Sequence, residues 1–482
     1  MDSNEEGFSC QPPAPAGGHG SKTLFTDDID VLDVVDFPCL VDDDTMEFLR
    51  SHGRILFLSR GPPGSGKGTV ASRLHELYPG SRLYWADKMF LTPMAPPRTK
   101  KTLEQSHNLC KQKITEYMQQ NEPVIINRNT NMTVWETSQY LKIAAMYGYT
   151  VIILDIDKNF ILKPEVLAVT NSKGLDQHYM KNRLKQWEHV YPYAMGWSSR
   201  PRDAASLLRR YKKLVAELIN GDKSIGLKPV QWTQFFPFCV ARVCWFGRDE
   251  RDREYCHSEL VRHAYGRRDT LCAFGYAVTR GFVFAMVDVG EKVALLGSED
   301  KADGGVEAVT RQLSLSLGFQ TWEEVACTVD ISKFTPTKGC TDEGNLCLGD
   351  KVIFKDVPPS RITFMPLGLT DGTEYSYSKA VAASLELLSP RLQSWSESAM
   401  VGVKCAKSVS GIEVYGSAAP TDDACLLVVD RATVKLDVVF TGYYQPHTTS
   451  LGGRSSSGAQ NTSSTRRPYN SGGRYRAFNR PR

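Results

Sequence analysis

Gly61-Pro-Pro-Gly-Ser-Gly-Lys-Gly-Thr69 decides the fold of this chain. It follows Arg54-Ile-Leu-Phe-Leu-Ser59, an apolar run of buried-strand length, and precedes Val70-Ala-Ser-Arg-Leu-His-Glu-Leu77, whose pattern predicts a helix. A strand, a glycine-rich turn and a helix N-terminus together make a phosphate cradle. The glycines let the backbone approach closely, successive N–H groups point at the anion, and the helix dipole adds partial positive charge. Gly61, Gly64, Ser65, Gly66, Lys67, Gly68 and Thr69 are therefore the candidate nucleotide-binding residues, with Lys67 reaching the outer phosphates. The place after the lysine usually carries the hydroxyl that holds Mg²⁺. Here it is Gly68, and the hydroxyl follows on Thr69, the candidate metal ligand. The expected ligands are Mg²⁺ and ATP or GTP.

From residue 50 onward the pattern alternates between strand and helix, as in an α/β domain. Strands are expected at Arg82–Ala86, Pro123–Ile126 and Thr150–Asp155, and helices at Lys101–Gln120 and Val134–Tyr147. Residues 171–190 read as a polar helix carrying Lys173, Lys181, Arg183 and Lys185, and Arg202–Leu218 as a basic amphipathic helix ended by Asn220-Gly221. Past residue 225 the texture becomes strand-rich. Strands are expected at 270–278, 281–289, 351–354, 412–415, 425–429 and 434–440, and helices at 305–317 and 380–388. The domains so expected are an acidic, largely disordered segment (1–48), an α/β P-loop NTPase domain with a parallel sheet and helices on both faces (49–225), an α+β domain (226–445) and a disordered tail (446–482).

The whole chain has a net charge of only +4, which points to no partner, but its ends differ. The first 50 residues are acidic with Lys22 and Arg50 as the bases, and residues 27–47 mix Asp with Val, Leu and Phe. They read as a solvated linker or as a segment that docks on a protein partner or on the basic tail. The tail carries Arg454, Arg466, Arg467, Arg474, Arg476, Arg480 and Arg482 without an acid, among Ser, Gly and Asn, with Tyr469, Tyr475 and Phe478 interspersed. Arginines for phosphates and aromatic faces for unpaired bases make RNA the expected partner. No signal peptide, membrane-spanning run or C-terminal prenylation site is visible. The twelve cysteines lack metal-ligand pairing, Cys340 and Cys347 included, and read as reduced thiols of a cytoplasmic protein.

The order of motifs resembles the myelin-type 2′,3′-cyclic-nucleotide 3′-phosphodiesterase family, which joins a polynucleotide-kinase-like P-loop domain to a two-histidine phosphoesterase domain. The likeness runs from about residue 52 to 445. It rests on the P-loop, Trp85-Ala-Asp87, Asn129-Thr-Asn131, Tyr191-Pro-Tyr-Ala-Met-Gly-Trp197, Phe235-Phe-Pro237 and Phe440-Thr-Gly-Tyr-Tyr444. The G-K-G-T form of the loop also resembles nucleoside monophosphate kinases. The family resemblance makes Asp87 the carboxylate that accepts the proton of an attacking hydroxyl. It makes Arg183, with Lys173 and Lys181, the lid charge for the transferring phosphoryl group. Arg128 and Asn129 depart from it, standing where relatives carry aspartates.

The second half departs further. Family chemistry needs two His-x-Thr or His-x-Ser motifs on facing strands, one imidazole acting as base and the other as acid. His447-Thr-Thr449 alone fits, and it follows the last strand. The candidate registers read Ala241-Arg-Val243 or Ala326-Cys-Thr328 for the first motif, and Arg361-Ile-Thr363 or Phe364-Met-Pro366 for the second. The expectation is an inactive phosphoesterase-like domain that keeps a phosphate or RNA groove through Arg242 and Arg361. The P-loop half is then an RNA 5′-hydroxyl kinase or a scaffold that uses ATP or GTP structurally. A cyclic phosphodiesterase with an unconventional site is the remaining alternative.

Overall fold

The computed structural model describes residues 31–33, 35–157, 161–221, 230–231, 237–278, 282–296, 361–370, 406–409, 412–415 and 426–444. The expected elements at 305–317, 351–354 and 380–388, the pair Cys340 and Cys347, Thr328, His447 and the arginine-rich tail lie outside the described residues. In chain order the first layer holds α1 (Pro38–Val41), α2 (Asp43–His52), β1 (Ile55–Arg60), α3 (Lys67–Leu77), β2 (Arg82–Tyr84), α4 (Lys100–Gln119), β3 (Val124–Asn127), α5 (Val134–Met146), β4 (Thr150–Asp155), α6 (Pro164–Thr170) and α7 (Gln177–Leu184). The strands form a parallel sheet in the order β2-β3-β1-β4.

Both faces of this sheet are buried, which is why its strands read as continuous apolar runs. In β1, Ile55 and Phe57 face one core with Phe48, Leu49, Val70, Leu74, Leu167 and Met180. Leu56 and Leu58 face the opposite core with Cys110, Ile114 and Met118 of α4 and Tyr140 and Leu141 of α5. Thr99 and Thr133 start α4 and α5 with capping boxes, closed by Thr102 and Glu136.

Two local expectations change. Part of the acidic segment is a packed helical entry: Asp42 caps α2, Asp43 and Asp44 fill its first turn, and Val35, Cys39 and Met46 are buried. Acids at a helix N-terminus complement its dipole and leave the apolar face free to pack. Asp42 also pairs with Arg267 at 2.9 Å. Residues 171–190 are not one helix. Asn171 Oδ1 accepts from the N–H groups of Lys173 and Leu175, a side-chain-made turn that separates α6 from α7.

The second sheet is built from β5 (Ala194–Ser199), followed by α8 (Pro201–Gly221), then β6 (Val230–Gln231), β7 (Phe238–Val243), α9 (Glu250–His257), α10 (Glu259–Ala264), β8 (Arg268–Val278), β9 (Phe282–Asp288), β10 (Ile362–Thr370), β11 (Ala406–Val409), β12 (Ile412–Tyr415) and β13 (Leu426–Tyr443). The described order is β11-β12-β13-β8-β9-β10-β6, antiparallel, with β5 paired to both β13 and β7. The sheets therefore part company before Ala194, not near residue 225. Trp197 and Met195 of β5 pack with Leu207, Leu208 and Tyr211 of α8 in the core of the second sheet. The strands expected at 425–429 and 434–440 run on as one strand, with a register irregularity between Val429 and Val434.

The second sheet covers the outer edge of the first. Thr441 Oγ1 donates to Val151 O at 2.7 Å, Ile153 N–H donates to Tyr265 OH at 2.9 Å, and the Thr150 and Ser198 hydroxyls bond at 2.7 Å. Side chains thus satisfy the free backbone edge of β4 that would otherwise invite another strand.

Candidate nucleotide site

The loop after β1 turns into α3 through Gly66, whose φ of +88° is left-handed. Gly64, at φ +85°, is also close-packed: a Cβ there would meet Leu167 O at 2.8 Å. Thr170 Oγ1 donates to Gly64 O at 2.8 Å, and Gly61 N–H donates to Thr130 O at 2.9 Å, so the loop is held from two sides. Lys67 folds back into it, and Nζ donates to Pro62 O at 2.6 Å and Ser65 Oγ at 3.4 Å. Burial, then the cations Lys173, Arg183 and Arg128, push its pKa down to about 7, against the opposing pull of Asp87. An anion in the loop reverses that repulsion.

Asp87 lies in a short 3-10 turn at Ala86–Phe90, directly after β2. The turn is anchored by Asn129, whose Oδ1 accepts from Ala86 N–H at 2.9 Å while its Nδ2 donates to Tyr140 OH at 2.7 Å. The Asp87 carboxylate bridges Lys173 at 2.5 Å and Arg98 at 2.7 Å. Burial raises its pKa, but these two cations outweigh burial and hold it below the usual carboxylate range. Arg183, on α7, donates to Glu136 at 2.7 Å and Thr130 Oγ1 at 3.3 Å. Lys181 is exposed on the same helix. Arg128 stacks on Trp85, its guanidinium carbon 3.6 Å from the ring centroid.

Lys67, Asp87, Lys173 and Arg183 thus share one electrostatic pocket at the C-terminal end of the parallel sheet, where open α/β sheets place their ligands. Sequence reasoning missed Arg98, Glu136 and Arg60, and named Asn129 only as a departure from the family pattern. The Thr133-x-x-Glu136 capping box could have flagged Glu136, whereas the proline-rich stretch before Arg98 has no periodicity to read. Arg60 is fully buried behind the loop. It pairs with Asp155 at 2.8 Å, donates to the carbonyls of Asn131, Met132 and Glu188, and stacks on Trp187.

Few protein donors around the loop are free for a divalent cation. Gly68 has no hydroxyl, and Thr69 is exposed on α3. Asp87 and Glu136 are each engaged by cations. Among the described residues, no three His, Cys, Asp or Glu side chains gather where they could hold a metal.

In the second sheet, Arg242 and Arg361 are each engaged by an acid. Arg242 pairs with Asp252 at 3.4 Å and stacks on Tyr255, and Arg361 forks onto both oxygens of Asp288 at 2.9 and 2.5 Å. The Thr363 hydroxyl is buried and donates to Val240 O. Two imidazoles do meet elsewhere. His189 and His257 lie 5.0 Å apart by ring centroids, with Tyr191 OH 2.8 Å from His257 Nε2. His257 ends α9 and His189 lies in the segment between α7 and β5, so motif searching on strands could not find them.

The family described as an AAA domain matches residues 56–159. The chain is 23% identical to rat (Rattus norvegicus) 2′,3′-cyclic-nucleotide 3′-phosphodiesterase over 315 residues, 61% of this chain and 73% of that protein. It is 24% identical to the mouse (Mus musculus) protein of the same name over 283 residues, 55% of this chain and 65% of that one. A fungal RNA kinase structure aligns with 81% of this chain and 99% of its own at 10% identity, with a TM-score of 0.23, too low to place the two in one fold. No helix among the described residues is long and apolar enough to cross a membrane. Residues 56–159 are thus a P-loop domain of the kinase-like type, in a chain that resembles the 2′,3′-cyclic-nucleotide 3′-phosphodiesterases.

Proposed function

We propose that this chain is an RNA-associated nucleotide-binding protein whose P-loop holds ATP or GTP and presents a hydroxyl acceptor, the 5′-hydroxyl of RNA, to Asp87. The observation that carries this reading is the convergence of Lys67, Lys173, Arg183 and Asp87 on one pocket. In this scheme the loop N–H groups and Lys67 hold the outer phosphates. Lys173 and Arg183 offset charge on the transferring phosphoryl group, and Asp87 takes the proton of the attacking oxygen. Radiolabel transfer from the γ-phosphate to 5′-hydroxyl RNA by wild type, lost in Asp87→Asn, is the expected result. Absence of transfer by a folded, nucleotide-bound wild type would refute catalysis.

A second reading, nucleotide binding without transfer, has its own support. Asp87 is clamped by two cations and held in its weakly basic form, so it accepts a proton only if Lys173 or Arg98 moves away. The second sheet is proposed to be inactive toward 2′,3′-cyclic nucleotides, since Arg361 and Thr363 of the matching motif are committed to Asp288 and Val240. Turnover of 2′,3′-cyclic AMP that disappears in His257→Ala would overturn that assignment. The tail arginines 454, 466, 467, 474, 476 and 480 are proposed to bind single-stranded RNA. Removal of 450–482 should weaken RNA binding and its salt dependence while leaving nucleotide affinity intact. A cytoplasmic location fits the free cysteines found among the described residues.

A further inference from the structure

We propose that the guanidinium of Arg128, in place of a divalent cation, compensates the phosphates of the bound nucleotide, so that nucleotide binding here does not depend on Mg²⁺. This rests on the reading of the loop as a nucleotide site. In most P-loops the residue after the lysine projects a hydroxyl onto the metal. Here that residue is Gly68, and a Cβ built on it would lie 3.2 Å from Arg128 Nη1. The guanidinium therefore stands in the space that the metal-holding side chain would enter. A side chain at 68 and Arg128 in its present place compete for the same volume.

Arg128 is fixed there. It stacks on Trp85 and follows Asn127, whose side-chain oxygen accepts from Asn129 N–H and Asn131 Nδ2. Arg128 is half-buried, and a guanidinium keeps its charge in such a place where an amine would lose it. Its forked donors match phosphate oxygens, and charge-assisted bonds of this kind are the strong ones. The surroundings are already cationic. Lys67, Arg98, Arg128, Lys173 and Arg183 face the carboxylates Asp87 and Glu136, both of which are paired. The excess positive charge is the complement of a polyphosphate.

The test is calorimetric titration of full-length protein with ATP and with GTP, in Mg²⁺ and in EDTA, for wild type, Arg128→Gln and Gly68→Ser. Wild-type affinity should change by less than about threefold between the two conditions. Arg128→Gln, shown by its melting temperature to be folded, should lose about tenfold or more in EDTA. Gly68→Ser, which crowds the guanidinium, should lose affinity in EDTA and regain it in Mg²⁺. A wild-type loss in EDTA larger than about threefold overturns the inference but leaves the nucleotide site standing. Arg128→Gln binding as tightly as wild type in EDTA also overturns it. No binding in either condition removes the nucleotide reading, and the inference with it.

Discussion

Replacing Lys67 by Met should abolish a proton uptake that accompanies nucleotide binding. In the free protein the ammonium is buried and repelled by Lys173, Arg183 and Arg128, which brings its pKa to about 7. With that pKa, about 90% of the side chain is neutral at about pH 8, whereas at about pH 6 about 90% is charged. A polyphosphate in the loop cancels the repulsion and restores the proton. Binding at about pH 8 should therefore take up roughly 0.9 proton, and at about pH 6 roughly 0.1. The sign follows from the free state binding fewer protons than the bound one. Affinity owed to this group is fully present below about pH 7 and falls about tenfold per pH unit above it, until the pKa of the bound state is reached. Calorimetry in buffers of different ionisation enthalpy measures the uptake directly. Subtracting Lys67→Met removes the titration of the nucleotide's own phosphates. A wild-type uptake near zero at about pH 8, or one equal to that of Lys67→Met, would refute the argument that this lysine is held neutral.

Arg60→Met should lower unfolding stability by about 3–5 kcal/mol in a denaturant titration, because Asp155 and three carbonyls lose their shared partner. A loss under about 1 kcal/mol would show that water replaces the guanidinium. Asp87→Asn should reduce phosphoryl transfer by about 10²–10⁴ while nucleotide affinity stays level or rises, since a carboxylate beside the phosphates is removed. A matched loss of affinity would assign Asp87 to ligand positioning. A fragment beginning at residue 226 should fail to give a cooperative melt, because it lacks β5 and α8, whereas one beginning at residue 188 supplies both; equal behaviour of the two would refute the assignment of β5 to the second sheet.

The P-loop and its sheet were legible because their signals are local. An apolar run, a glycine-rich turn and a helical pattern sit side by side in the chain, and Lys67 occupies the position that this order dictates, whereas Asp87 was marked by the family resemblance. The partners that tune them were not legible. Arg98 reaches Asp87 across a loop, and Arg183 is matched by Glu136 from a helix 47 residues earlier. Those pairings are set by packing, which leaves no periodic trace. The second sheet was harder for another reason. Arg242 and Arg361 read as candidates for phosphate contact, but a cation in a sequence does not announce its counter-ion, and the Asp288 that pairs with Arg361 lies 73 residues away. β5 was obscured by its composition: Gly196, Ser198 and Ser199 break the apolar run, and only pairing on both sides makes Ala194–Ser199 a strand.

The position of β5 also sets a timetable for synthesis. Its strand on one side, β7, leaves the ribosome about 40 residues later, but its partner on the other side, β13, follows only after about 240. At about 5–20 residues per second, that edge of β5, bearing Met195 and Trp197, waits roughly 10–50 s for β13. Over the same interval the outer edge of β4 lacks Thr441, the hydroxyl that later covers Val151 O. Two unpaired strand edges then coexist on one nascent chain, and both are closed by the arrival of a single strand. A stop codon or a misfolding event anywhere before residue 444 thus leaves the P-loop half with an open β edge, and the nascent chain needs protection from self-association until β13 emerges.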